Sequence, residues 1–210
     1  MPSKHTIRSF FDGGYYHIFN RGVAKQDIYL DKQDYAVFLY YLKSFLSDPE
    51  LLDKQDPFYD SRRLSFHGKV ELICYCLMPN HYHLFVTQLE DQGISDFMRA
   101  LSNAYTKYFN NKYDRVGPIF QGRFKAAGVY SDMHFMHLSR YIHQNPIDLG
   151  KDILGYDYSS CRYFLAEDDS PSWLNINHTM DLFHSTEEYR QFLLQKRIKS
   201  KDILEDESID

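Results

Sequence analysis

Cysteine is scarce in this chain, three in 210 residues. An odd number that includes Cys74 and Cys76 within one apolar stretch excludes a disulfide framework, and buried thiols are expected instead. Long apolar runs are missing too: the longest, LICYCLM at residues 72–78, has seven residues, against the roughly 18 of a membrane span. The opening MPSKHTIRSFF lacks the apolar core of a signal peptide, so a soluble, cytoplasmic protein with no membrane partner is the expectation. The chain is also shorter than the roughly 250 residues of a (β/α)₈ barrel, which removes barrel hydrolases from consideration. Net positive charge is absent: the balance is −5.

That balance hides a division along the chain. Between Arg99 and Arg140 seven Lys or Arg stand against two Asp, a local +5, and the remainder carries −10. A basic centre between acidic flanks can hold a polyanion such as nucleic acid, and the same cations can equally solvate a helix face. What the chain has in plenty is aromatic surface, 18 Tyr and 16 Phe. Most of these rings should be core, and the rest are available to stack on bases.

Hydrophobic patterning orders the elements. Residues 15–21 (YYHIFNR) read as a strand, and Asp31 caps a helix carrying Tyr35, Phe38, Leu39, Leu42, Phe45 and Leu46 that stops by Asp48-Pro49. An acidic, proline-bearing loop occupies residues 47–63. Residues 70–78 and 81–87 form a hairpin turning at Pro79-Asn80. A long helix follows, with Ile94, Phe97, Met98, Leu101, Ala104, Tyr105, Tyr108 and Phe109 on one stripe. Residues 119–130 predict a strand bent by a bulge at Gly122. The order β-α-β-β-α-β is the ferredoxin-like, α+β arrangement: a four-stranded antiparallel sheet with two helices on one face and the other face free for function.

Ser131 then caps a helix reaching about Asn145, which Pro146 interrupts. An aromatic segment at 156–164, an acidic loop at 167–169 and a helix over about 187–198, with a capping box from Ser185 and Glu188, complete the chain, and the terminal KDILEDESID should fray. Residues 1–150 are expected to form one domain and 151–210 an extension packed on it.

His81 and His83 are two apart in a strand and so project to one face, where they can ligate a divalent cation or sit as hydrogen-bonded buried histidines. His134, His137, Tyr141 and Asn145 fall on one helical stripe. If that helix lies over the open sheet face, Tyr141 and Asn145 come beside the histidine pair. Asn145 followed by Pro146 reads equally as the N-cap and first residue of a next helix, since Pro146 disfavours the α conformation before it. Gln144 is a second amide within reach.

Residues 15–22 (YYHIFNRG), 76–86 (CLMPNHYHLFV), 117–126 (GPIFQGRFKA) and 140–146 (RYIHQNP) together resemble the single-tyrosine HUH transposases, and especially the REP-associated tyrosine transposases. The resemblance runs in order from about Tyr15 to Tyr163. It implies a metal-dependent endonuclease and strand transferase acting on hairpin-associated single-stranded DNA through a 5′-phosphotyrosine link, with Mg²⁺ or Mn²⁺ as cofactor. By that resemblance Tyr141, on a helix outside the ferredoxin-like unit, is the nucleophile. His81 and His83 are metal ligands, and Asn145 is the third where insertion-sequence 200 relatives have Gln. Arg21, Arg123, Lys125 and Arg140 lie within the motifs and can contact phosphates or serve as salt-bridge partners. Two rivals differ in chemistry: a module that binds nucleic acid without cutting it, and a phosphoesterase in which water attacks. Monomer and homodimer are both compatible with the sequence.

Overall fold

The computed structural model describes residues 9–53 and 64–197. Strands β1 (Tyr15–Arg21), β2 (Val70–Met78), β3 (His81–Gln88) and β4 (Lys125–Val129) make one antiparallel sheet in the order β2-β3-β1-β4. Helix α1 (Lys32–Leu46) follows β1 and α2 (Gly93–Lys112) follows β3, so the expected βαββαβ order and sheet are present.

Side-chain alternation splits the sheet into two faces. Tyr16 and Ile18 of β1 and Tyr82, Leu84 and Val86 of β3 pack against Phe38 and Leu42 of α1 and Phe97, Leu101 and Tyr105 of α2. In β2 the register slips between Leu72 and Cys74. This bulge lets Leu72 and Tyr75, at odd spacing, both face the α1–α2 core, while Ile73, Cys74, Cys76 and Met78 turn to the other side. All three cysteines are free and buried.

The start of α1 is held by a reciprocal capping box between Asp31 and Asp34. The wholly buried Asp34 carboxylate also accepts from Tyr108, Lys112 and Tyr113 at 2.8–2.9 Å, which ties α1 to the far end of α2. Lys112 is thereby taken out of the basic centre. Arg99 pairs with Asp96, and Arg140 is buried. The cations of residues 99–140 therefore do not form the single patch that their count suggests.

Three other expectations are corrected. The strand predicted over 119–130 is confined to Lys125–Val129. Gly122, at φ +75°, lies in a turn ahead of it rather than in a bulge, and Phe120 makes only an isolated bridge to Gly22. The second sheet face is not free: α3 (Asp132–Gln144), α4 (Cys161–Phe164) and, after the short α5 (Asn177–Met180), α6 (Thr186–Leu193) build a second core over it with Phe135, Leu138, Ile142, Phe164, Tyr189 and Leu193. The last helix ends at Leu193, not near 198. Two α3 side chains take over its final carbonyls: Arg140 Nη1 donates to Phe192 O at 3.2 Å, and Gln144 Nε2 donates to Leu193 O at 2.8 Å. Part of the acidic loop and the terminal tail lie outside the described residues. Among the described residues no helix is long and apolar enough to cross a membrane.

Candidate active site

Register brings the site together. Across β1 and β3, Arg21 pairs with His81, Phe19 with His83 and His17 with Phe85, so all six side chains share the α3 face. His81 and His83 rings lie 5.0 Å apart, and His17 Nε2 meets His83 Nδ1 at 2.8 Å. His81 Nδ1 is engaged by Asn80 Oδ1 at 2.7 Å. With both Nδ1 atoms occupied, the Nε2 atoms are the ones left to face the site, and His83 Nε2 is buried with no hydrogen-bond partner.

Ser131 caps α3 by accepting from His134 N at 3.2 Å, which fixes where the helix begins over the sheet. Two turns on, the Tyr141 ring stands 5.5 Å from His83 and 6.0 Å from His17, in the same chain. Asn145 follows in right-handed helical conformation despite Pro146, so it does not cap the next turn. Its Nδ2 donates back to Tyr141 O at 2.8 Å, which leaves the amide oxygen as the free end, near enough to His81 to act on that ring. Gln144 points the opposite way, toward α6, with Nε2 donating to Leu193 O at 2.8 Å and Gln195 O at 3.1 Å. His137 likewise leaves the stripe, bonding Arg140 at 3.0 Å beside Phe192.

Burial pushes all three imidazoles toward the neutral form. His17 falls to about 3, chiefly through desolvation and also through His134. His83 lies well below the ordinary value through desolvation and then His17 and His81. His81 is lowered by desolvation, partly offset by the Asn145 side chain and by Asp148. Neutral imidazoles are what a cation requires. An orphaned buried Nε2, a second histidine held by its other nitrogen and an adjacent amide oxygen therefore fit a divalent ion with open positions for substrate oxygens. Among the described residues there is no group of three or more His, Cys, Asp or Glu that could hold a metal ion. Burial raises the Tyr141 phenol above its usual 10, with Asp148 adding to the effect and Arg197 opposing it.

The predicted cations separate. Arg21 and Lys125 line an open cleft of about 440 Å³ beside His81, together with Phe19, Asn80 and Gln121. Lys25 joins them, placed by two successive left-handed residues, Ala24 at φ 52° and Lys25 at φ 64°. Backbone strain of this kind concentrates at functional sites. Arg123 lines a different groove, with Arg99 and Asn103 of α2. Arg140 is 5% exposed, stacks on Phe192 at 4.2 Å and bonds Gln195 at 2.6 Å, so it holds α6 in place. Arg140→Ala should cost about 2 kcal/mol in urea melts and leave the salt dependence of DNA binding unchanged. A shallower salt slope with unaltered stability would return it to phosphate binding.

Residues 61–145 match the family model of IS200-like transposases. That stretch, 85 of the 210 residues, is similar in sequence to IS200-like transposases. It contains His81, His83, Tyr141 and Asn145. No curated protein matches the chain significantly. Among solved structures, the REP-associated tyrosine transposase bound to a REP hairpin superposes with a TM-score of 0.56 at 18% identity, covering 80% of this chain and 89% of that one. The two share a fold. A Deinococcus radiodurans R1 protein classed among transposases gives 0.39 at 13% identity, over 69% of this chain and 96% of that one.

His17 and Lys25 carry no catalytic motif of their own. The signal for His17 was the period of two in YYHIFNR, which puts His17 on one face with Tyr15, Phe19 and Arg21 and makes that face the polar one. Nothing local marks Lys25, whose position depends on a left-handed backbone.

The two amides of α3 are separable by experiment. Asn145→Ala should weaken Mn²⁺ binding roughly 10 to 100 fold, the scale for metal-site support residues. Gln144→Ala should cost about 1 kcal/mol of stability and leave Mn²⁺ affinity as it was. Calorimetric titrations beside thermal melts check both, and unchanged Mn²⁺ affinity in the Asn145 variant would remove that amide from the donor set.

Proposed function

We propose that this protein is a transposase, a metal-dependent, single-strand DNA endonuclease and strand transferase in which Tyr141 attacks a phosphodiester held at His81 and His83. The observation that carries the reading is the Tyr141 ring over His83 and His17 within one chain, which lets the nucleophile act on the site of its own subunit. Mg²⁺ or Mn²⁺, held by His81, His83 and Asn145, would neutralise a non-bridging phosphate oxygen.

The remaining steps fall to the chain. Tyr141 Oη gives its proton to solvent and bonds to phosphorus, the bond from phosphorus to the 3′ oxygen breaks, and that oxygen takes a proton from solvent and leaves as a hydroxyl. The product is a 5′-phosphotyrosine ester, and its retained bond lets a 3′-hydroxyl reverse the step without ATP. In-line displacement sets the leaving oxygen opposite Tyr141. Tyr141 stands over the His17–His83 end, so the departing strand runs past His81 into the cleft of Arg21, Lys25 and Lys125. Phe19 offers it a ring and the three cations meet its phosphates.

A neighbour of the same fold is bound to a REP hairpin, which supports hairpin-forming single-stranded DNA as the substrate. Incubating the full chain with end-labelled hairpin DNA and Mg²⁺ or Mn²⁺ should give a covalent adduct stable to denaturation. Free fragments without adduct would assign the attack to water, and a shifted complex alone would leave a binding module.

A further inference from the structure

We propose that His17 is a positioning residue for His83: its unprotonated Nε2 accepts the Nδ1 proton of His83 and so fixes the tautomer whose Nε2 lone pair is turned to the site. The cation in this inference is that of the proposed function; the proton placement stands on the hydrogen bond itself.

His17 and His83 are diagonal neighbours on one sheet face, since Phe19 pairs with His83 and His17 with Phe85. Their rings lie 5.0 Å apart and 22° from parallel, with Nε2 and Nδ1 at 2.8 Å. Each neutral imidazole has one N–H and one lone pair, so a single proton serves the shared bond.

Two placements exist. If His17 Nε2 carries the proton, His83 must carry its own on Nε2, where a buried N–H would have no acceptor, because that atom has no partner. If His83 Nδ1 carries it, the unpartnered atom is a lone pair, the form in which a histidine ligates a cation. The second arrangement leaves no buried donor stranded at His83. It is the outer support that ligating histidines generally receive from a carboxylate or carbonyl, supplied here by another imidazole.

Neighbouring rings keep the pair from turning. Phe19 lies 4.8 Å from His17 and 6.0 Å from His83 on one side, and Tyr141 closes over both at 6.0 and 5.5 Å. His17 thus joins the histidine pair to the ring of the nucleophile without itself meeting substrate.

The test begins on the full-length chain free of metal. Long-range ¹H–¹⁵N spectra of histidine-labelled protein should show His83 and His17 both protonated at Nδ1, with assignments from the resonances lost in His17→Gln. A proton on Nε2 of either residue would overturn the proposal. Mn²⁺ titrations provide the second arm. His17→Gln keeps an acceptor near the Nε2 position and should bind Mn²⁺ within about threefold of wild type, whereas His17→Leu should lose roughly 10 to 100 fold. Equal losses in both variants, or none in His17→Leu, would refute the positioning role. If the Leu variant fails to fold, the wild-type spectrum still decides. Failure of the unmodified chain to bind Mn²⁺ would instead strike the metal reading, and the proton placement is read without metal in either case.

Discussion

Replacing Tyr141 by Phe is expected to eliminate the covalent protein–DNA adduct while leaving hairpin DNA affinity within about threefold of wild type. The substitution removes one oxygen and keeps the ring, so the edge contacts with His17 and His83 persist and the site keeps its shape. The phenol is held protonated in the metal-free protein by burial and by Asp148. Adduct formation in the unmodified chain should therefore require added divalent cation as well as the hydroxyl. Denaturing gels of labelled DNA, run with and without Mn²⁺, measure both dependences. An adduct from the Phe variant would remove Tyr141 from the nucleophile's part. Tyr105 and Tyr108 could not then take it, because they point to the α1–α2 side, donating to Ile28 O and Asp34. Tyr15 would be next, being on the site face with its hydroxyl 3.2 Å from His178 Nδ1 and the other nitrogen of that ring 2.8 Å from Glu71.

Elements whose signals are local were legible in the sequence. The α1 cap at Asp31, the β2–β3 hairpin and the stripe of α2 each follow from a few adjacent residues, and the order of elements then limits the sheet to few topologies. The pair His81 and His83 was equally plain, because a period of two needs no tertiary knowledge. What escaped depends on partners distant in sequence. Arg140 looked like a phosphate contact until the carbonyls of Phe192 and Leu193 were seen to end beside it and Gln144. Asn145 took the helical conformation that Pro146 disfavours because its side chain secures the last turn of α3 through the carbonyls of Tyr141 and Ile142. The second core over the site face hid in the last third of the chain, where short helices separated by turns carry little periodicity.

Acid should unfold this protein over a range set by its buried histidines. His17 and His143 each fall to about 3 in the folded chain, mainly through desolvation, against about 6.5 when unfolded. His143 bridges Tyr189 at 2.7 Å and Ser160 at 2.8 Å, and among the described residues no carboxylate offsets the desolvation of a charge there. Because the folded values are the lower ones, the unfolded chain binds more protons between about pH 3 and 6.5, so stability is whole above that window and declines as pH falls through it. Each histidine contributes about 1.4 kcal/mol per pH unit. At pH 4.5 the pair should have cost on the order of 5 kcal/mol, comparable with the lower end of domain stabilities of about 5 to 15 kcal/mol, and His83, shifted in the same direction, adds to the loss. Asp34 is not part of this decline, since its depressed carboxyl loses its contribution only below the ordinary carboxylate range of about 4. Urea melts at half-unit steps from pH 8 to 4.5 measure the slope. His143→Gln, which retains a donor and an acceptor but cannot take up this proton, should flatten the curve by about the share of one histidine. An identical slope in that variant would show that His143 is not among the groups that set acid stability.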